Sequence, residues 1–222
     1  MEYFNNKVLE CEDGSKTLVH SIIGDTYHST KGSLAESSHV YIKAGLEAMN
    51  KKDVNIFEVG FGTGINAILT LINASQLNIN IHYHTIELYP ISQECVASLE
   101  LDKILANEEY DFFINMHKAS WNEEIEITKG FTIHKIFGDF TKSEIPQNID
   151  LVYFDAFAPD TQPELWSNTL LEKIYNSMTT KAILVTYSAK GSVKEALRSV
   201  GFEVVRLKGA LGKHHMVRAT KQ

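Results

Sequence analysis

The sequence predicts a doubly wound α/β fold built on a mostly parallel sheet, and three observations predict it. Val54-Asn55-Ile56-Phe57-Glu58-Val59 is an apolar strand that runs into Gly60, Gly62 and Gly64 and then directly into an apolar helix. Short apolar runs recur after it, separated by segments of helical periodicity. Four of those runs end in an acid: Glu58, Glu87, Asp139 and Asp155.

The elements follow in chain order. Residues 4–20 read as a hairpin, with Asp13-Gly14 at its turn. A turn-rich stretch over 24–32 precedes Ser33-Leu34-Ala35-Glu36, a capping box that opens a helix to about Asn50. These first 50 residues are expected to form a flap or edge beside the glycine turn, ahead of a main domain over 51–222. A helix over 65–75, a strand ending at Glu87, a helix from Pro90 to about Leu99 and an irregular helical region to Trp121 come next. Residues 124–128 and 131–137 alternate as an extended pair around Lys129-Gly130. The strand ending at Asp155, a helix with Trp166, Leu170, Ile174 and Met178 at four-residue spacing, and a buried strand over 182–187 complete the core. A helix opened by Ser192-Val193-Lys194-Glu195 and a terminal hairpin of strands 202–207 and 213–219 close the chain. The expected total is seven core strands, with helices between the first five.

Composition excludes several classes. At 222 residues, 44% hydrophobic and 22% charged, the chain has ordinary globular composition. Cys11 and Cys95 supply neither a disulfide framework nor a metal knuckle. None of the nine histidines adopts H-x-x-x-H spacing, so no metal is expected. With no signal-peptide pattern and no apolar run long enough to span a bilayer, the expected location is the cytoplasm, with no membrane partner. The net charge of −7 hides an asymmetry. Residues 181–222 carry nine Lys/Arg against two acids, whereas the rest of the chain is strongly acidic. A basic C-terminal fifth is either an anion-binding face or a solvated helix and edge strands.

The glycine turn is the chemical centre. Glycines at alternate positions let the backbone turn sharply against a ligand, and the next helix points its first N–H groups back at the turn. The spacing is G-x-G-x-G rather than the dinucleotide G-x-G-x-x-G, and no lysine follows as in a phosphate cradle. Glu87 at the end of the next strand is placed to accept both hydroxyls of a ribose. Four carboxylates on one sheet edge repel unless a cation joins them, which suits S-adenosylmethionine with its sulfonium and ammonium groups.

Asp155-Ala156-Phe157-Ala158-Pro159 is the catalytic candidate. Methyl transfer to nitrogen is an in-line displacement, so the protein positions two partners and presents an unprotonated lone pair. A carboxylate at Asp155 can take the proton or orient the N–H, and Phe157 can stack on a flat ring. The bland alternative makes Asp155 a loop cap and Phe157 a core residue. Further substrate candidates are Tyr27 in the polar N-terminal loop, Pro159, Tyr187 and Ser188 at a strand end, and Lys190 and Lys213 for phosphate.

Together these segments resemble the MnmC N-terminal/MnmD-like methyltransferases. The resemblance rests on Glu58-Val59-Gly60-Phe61-Gly62-Thr63-Gly64-Ile65-Asn66, on Thr85-Ile86-Glu87-Leu88-Tyr89-Pro90, and on Asp155-Ala156-Phe157-Ala158-Pro159 with Pro163-Glu164-Leu165-Trp166. Further similar segments are 25–29, 36–41 and 212–216, so the likeness spans roughly residues 20–218. It implies a Rossmann-like class I S-adenosylmethionine-dependent fold, a seven-stranded mostly parallel sheet with a C-terminal antiparallel hairpin and an N-terminal extension. It also implies methylation of the amine of 5-aminomethyl-2-thiouridine at the tRNA wobble position, in an anticodon loop whose base can be splayed out without opening a duplex. Cofactor contacts would come from Glu58, Gly60, Phe61, Gly62, Thr63, Gly64, Asn66, Glu87, Leu88, Gly138 and Asp139, with Asp155 orienting and deprotonating the amine. The flavin oxidase half of the fused proteins is expected to be absent, and His214-His215 departs from the expected basic-acidic pair.

Two other functions fit the residues: methyl or aminopropyl transfer to a small amine or polyamine, and a non-catalytic module that binds cofactor or RNA. A nicotinamide dehydrogenase fits least, given the glycine spacing.

Overall fold

The computed structural model describes residues 3–4, 6–212 and 214–222. Lys213, expected to meet phosphate, lies outside the described residues.

A small hairpin comes first, β1 (Lys7–Glu10) against β2 (Lys16–Val19), as a two-stranded sheet of its own. The helix α1 (Ser33–Ser37) follows and widens into a π-helical stretch over Ser38–Lys43. Then come β3 (Asp53–Val59), α2 (Ile65–Leu77), β4 (Asn80–Glu87), α3 (Gln93–Ser98), α4 (Asn107–Lys118), β5 (Glu124–Thr128) and β6 (Phe131–Phe137). The chain continues as β7 (Ile149–Phe154), α5 (Asn168–Ser177), β8 (Met178–Thr186), α6 (Gly191–Ser199), β9 (Phe202–Lys208) and β10 (His215–Lys221).

The main sheet has eight strands rather than seven, in the order β5-β6-β4-β3-β7-β8-β10-β9. The added strand is β5, which the Lys129-Gly130 turn folds back antiparallel onto β6 as an edge. The five strands β6, β4, β3, β7 and β8 pair in parallel. β10 is antiparallel to both β8 and β9, so the terminal hairpin inserts its second strand beside the parallel set. β9 therefore runs in the direction of β8, and only β5 and β10 oppose the rest.

Both faces of the parallel strands carry apolar side chains, as a sheet covered on two sides requires. On one face Ile56, Tyr83, Ile133 and Leu151 pack against Ile68 and Leu71 of α2 and Phe113 and Met116 of α4. On the other, Phe57, Val152, Phe154 and Leu184 meet Leu170 and Ile174 of α5, Val193 and Leu197 of α6, and Trp166. Each such buried side chain contributes roughly 1.5–3 kcal/mol.

Several local expectations change. α6 begins at Gly191, so Ser192 does not open it, while Trp166 lies in a 3₁₀ turn ahead of α5 and Met178 begins β8. Ser33 is the first helical residue after Gly32, so it does not cap; Glu36 instead reaches back to the preceding loop, its Oε2 accepting from the Ser29 N–H at 2.8 Å. The helix expected to run to Asn50 ends in the π-helical stretch and a 3₁₀ turn over Leu46–Ala48. Between β6 and β7 the chain crosses over 138–148 without a helix, held by Lys142 and Ser143 N–H groups donating to the Asp139 carbonyl.

Candidate active site

Parallel pairing aligns the carboxyl ends of the central strands. Val59 pairs with Phe154 and with Ile86, and Glu87 pairs with Phe137. Gly60, Glu87, Gly138 and Asp155 thereby meet along one rim, where ligands of open α/β sheets bind. A cavity of about 460 Å³ opens there, lined by residues 60–63 of the glycine turn, by Glu87, Leu88 and Tyr89, by residues 138–141 and by residues 155–158. Its far wall comes from the N-terminal segment: Asp25, Thr26, Tyr27, His28, Ser29 and Glu36.

The turn depends on its glycines. Gly62 adopts φ 50° and Gly64 φ 74°, the left-handed region. A Cβ on Gly62 would meet Tyr27 Cδ1 at 2.9 Å, and one on Gly64 would meet His117 Nε2 at 2.7 Å. So Tyr27 covers the turn from one side and His117 from the other. His117 Nε2 lies 3.1 Å from the Thr63 carbonyl, and His28 Nε2 lies 2.6 Å from Thr63 Oγ1.

Of the four strand-end acids, three line the cavity and one does not. Glu87 accepts from the Gly62 N–H at 2.9 Å and the Tyr89 N–H at 2.8 Å; burial raises its proton affinity, and those backbone donors work against the rise. Asp139 is held at about 2 by Lys142, 2.9 Å away, and by the Thr141 hydroxyl and N–H. Asp155 stands one residue past β7. Glu58 is fully buried and absent from the cavity wall. Side chains alternate along a strand, and Glu58 falls on the face of Val54 and Ile56, under α2. Burial pushes its carboxyl well above the usual range.

Asn66 links Glu58 to Asp155. Its Nδ2 donates to Glu58 Oε1 at 3.0 Å and to Asp155 Oδ2 at 2.7 Å. The other Asp155 oxygen, Oδ1, accepts from the Tyr41 hydroxyl at 2.6 Å.

An aromatic group occupies the mouth. Tyr27 stacks on His20 at 5.6 Å, and Phe157 meets both edge-on at 5.4–5.5 Å. Trp166 Nε1 donates to the Phe157 carbonyl at 2.8 Å, which explains why Pro163-Glu164-Leu165-Trp166 accompanies the Asp155 loop. Tyr187 donates to the Ala156 carbonyl at 2.9 Å.

Phe61, Thr63, Asn66, Leu88 and Gly138 line the cavity with Tyr27, Phe157 and Tyr187. Gly64, Pro159, Ser188 and Lys190 do not; a Cβ on Gly64 would point at His117, Ser188 is buried and Lys190 is paired with Asp160 on the surface. Sequence reasoning missed Tyr41, His28 and Glu36 as site residues. The segments 25–29 and 36–41 carried the only signal for them, as part of the resemblance.

The arrangement fits a class of protein, the methyltransferases that take an adenosyl methyl donor. A family model described as S-adenosyl-L-methionine-dependent methyltransferase matches residues 102–222. The chain belongs to that family, in its MnmC N-terminal/MnmD-like branch. It is 27% identical over 209 residues to the tRNA 5-methylaminomethyl-2-thiouridine biosynthesis bifunctional protein MnmC of Campylobacter fetus, covering 91% of this chain and 34% of that protein. It is 28% identical over 222 residues to the MnmC of Burkholderia thailandensis, covering 93% and 33%. The chain thus spans about a third of the length of the curated relatives it matches. Among solved structures, MnmC2 of Aquifex aeolicus superposes with a TM-score of 0.75 at 25% identity, over 99% of this chain and 71% of that one. The spermidine synthase of Thermotoga maritima, at 9% identity and a TM-score of 0.54, covers 93% of this chain and 68% of that one and shares the fold alone.

S-adenosylmethionine is the cofactor of the family, and the cavity fits it. Its volume lies within the roughly 300–1,000 Å³ of small-molecule sites. The Tyr27 and His117 side chains already stand where Cβ atoms on Gly62 and Gly64 would lie, so the turn keeps this shape only with glycine, and the Glu87 carboxylate in the cavity wall offers an acceptor for ribose hydroxyls. No groups of three or more His, Cys, Asp or Glu that could hold a metal occur among the described residues. Nor is any described helix long and apolar enough to cross a membrane.

Proposed function

We propose that the protein N-methylates the aminomethyl group of 5-aminomethyl-2-thiouridine at the tRNA wobble position, in the cytoplasm. The observation that carries this reading is the placing of Asp155 and Phe157 in the same cavity as the glycine turn and Glu87. Bound S-adenosylmethionine supplies a methyl group activated by its sulfonium. The chain's own residues then do three things. Gly60, Gly62, Glu87, Leu88 and Asp139 hold the adenosyl and ribose portions, Gly64 lets the turn close behind them, and Glu58 acts from behind by fixing Asn66. Phe157, Tyr27 and Tyr187 wall the acceptor end with flat, half-buried rings that suit a splayed pyrimidine and exclude water. Asp155 orients the acceptor amine and takes its proton, leaving the nitrogen lone pair free for in-line attack.

The terminal hairpin supports an RNA partner. The register of β10 on β8 and β9 puts Lys208, His214 and His215 at the rim that also carries the cavity, and all three are exposed. Lys208 of the basic C-terminal fifth thus stands beside the cavity rim, where a phosphate backbone would pass. In the same reading, residues 1–50 are an extension that walls the acceptor end of the domain over 51–222.

The test is methyl transfer from labelled S-adenosylmethionine to undermethylated tRNA and, separately, to spermidine, over a salt series. Transfer to tRNA with a steep loss between 50 and 200 mM salt supports the proposal. Transfer to spermidine alone, with little salt dependence, replaces it with a small-amine enzyme. Binding of the cofactor without transfer to either replaces it with a non-catalytic module.

A further inference from the structure

Tyr41 is almost fully buried, yet its hydroxyl makes a 2.6 Å hydrogen bond to Asp155 Oδ1. Its ring packs on Tyr153, with centroids 5.2 Å apart, and phenylalanine would fill that space equally well. The hydroxyl is therefore not a packing requirement. The residue sits in the π-helical stretch Ser38–Lys43, a local widening that is often found at functional sites. On the opposite side, Asn66 holds Asp155 Oδ2 at 2.7 Å. Asp155 is thus gripped at both oxygens by donors from two different elements. Hydrogen bonds given to a carboxylate favour its charged form.

We infer that Tyr41 is a positioning residue for the transfer: with Asn66 it fixes the Asp155 carboxylate in one orientation and keeps it ionised toward the acceptor amine. This rests on the role proposed above for Asp155. The ionisable groups facing this pair are Glu58 from β3, Tyr83 from β4, Tyr187 from the end of β8, and Glu36 from α1, with Asp25 facing Tyr187. None of these described groups is a cation, and the two donors to Asp155 named above are a phenol and an amide.

The test compares full-length wild type, Tyr41→Phe, Asp155→Asn and the double variant. Single-turnover methylation of tRNA bearing 5-aminomethyl-2-thiouridine is followed from pH 6 to pH 9, with cofactor affinity and melting temperature measured alongside. For Tyr41→Phe the inference expects a rate about tenfold lower at neutral pH and an acidic limb displaced to higher pH. Cofactor affinity should stay within about twofold of wild type, and the double variant should behave as Asp155→Asn. An inactive Asp155→Asn beside a Tyr41→Phe with wild-type rate and pH profile overturns the inference alone. So does a Tyr41→Phe whose defect is uniform across pH and follows a loss of melting temperature or cofactor affinity, since that is a structural effect. Full activity in Asp155→Asn overturns the role of Asp155 and this inference with it.

Discussion

His28 Nε2 and Thr63 Oγ1 lie 2.6 Å apart and buried, which ties the N-terminal segment to the second half of the glycine turn. That segment supplies the far wall of the cavity, so the bond couples the cover to the cofactor loop. Replacing Thr63 with Val keeps the shape and removes the partner. The expected result is a cofactor affinity about fivefold weaker, equivalent to roughly 1 kcal/mol, measured by calorimetric titration.

Gly62 makes a stronger prediction. Its φ of 50° and the 2.9 Å approach of Tyr27 to a Cβ leave no room for alanine. A left-handed non-glycine residue costs about 1–2 kcal/mol, before Tyr27 moves. Gly62→Ala should weaken cofactor binding at least tenfold in the same titration while leaving the far-ultraviolet spectrum of the fold intact.

Trp166 acts on the Asp155 loop from behind. Its Nε1 donates to the Phe157 carbonyl, and Trp166→Phe would leave that carbonyl short of a partner in a mostly buried place. A loss of about 1–3 kcal/mol in denaturant unfolding is expected. The methyl-transfer rate should fall with it, and cofactor affinity should change little, because the proposed function gives the Phe157 loop to the acceptor end.

The pH dependence of stability follows from His117. Burial first and the nearby Lys135 second lower it to about 3, against about 6.5 in the unfolded chain. Between those values the unfolded state binds the additional proton, so stability rises with pH there. It is fully present above about pH 6.5 and is lost as the pH falls toward 3. His84, lowered to about 4 mainly by burial, contributes with the same sign. The melting temperature should therefore drop between pH 7 and pH 5. His117→Gln, which retains a donor for the Thr63 carbonyl, should show a shallower drop.

The parallel core and the glycine corner were legible in the sequence because each is a local signal. A buried parallel strand reads as a continuous apolar run, and a turn against a ligand needs glycine. The eighth strand was visible as alternation over 124–128, but whether a strand joins a sheet depends on its partner. Glu58 was placed on the rim by its position near a strand end. Its burial under α2 follows from the two-residue alternation of side chains, which outweighs nearness to the turn. Tyr41 could not be read as a partner of Asp155. They are 114 residues apart, and the π-helical stretch breaks the 3.6-residue period that would have assigned its face. The absent helix between β6 and β7 has the same kind of cause: residues 138–148 hold Asp139 turns rather than an apolar stripe.

Mass spectrometry of the nucleosides from tRNA incubated with the protein and S-adenosylmethionine tests the central claim most directly. The tRNA should come from cells unable to complete the wobble modification, so that 5-aminomethyl-2-thiouridine is present at the start. The account predicts loss of that nucleoside and its recovery with one added methyl on the side-chain nitrogen, abolished in Asp155→Ala although the variant still binds cofactor. An unchanged nucleoside in the presence of bound cofactor, or a methyl found on a ring atom or a ribose, would contradict it.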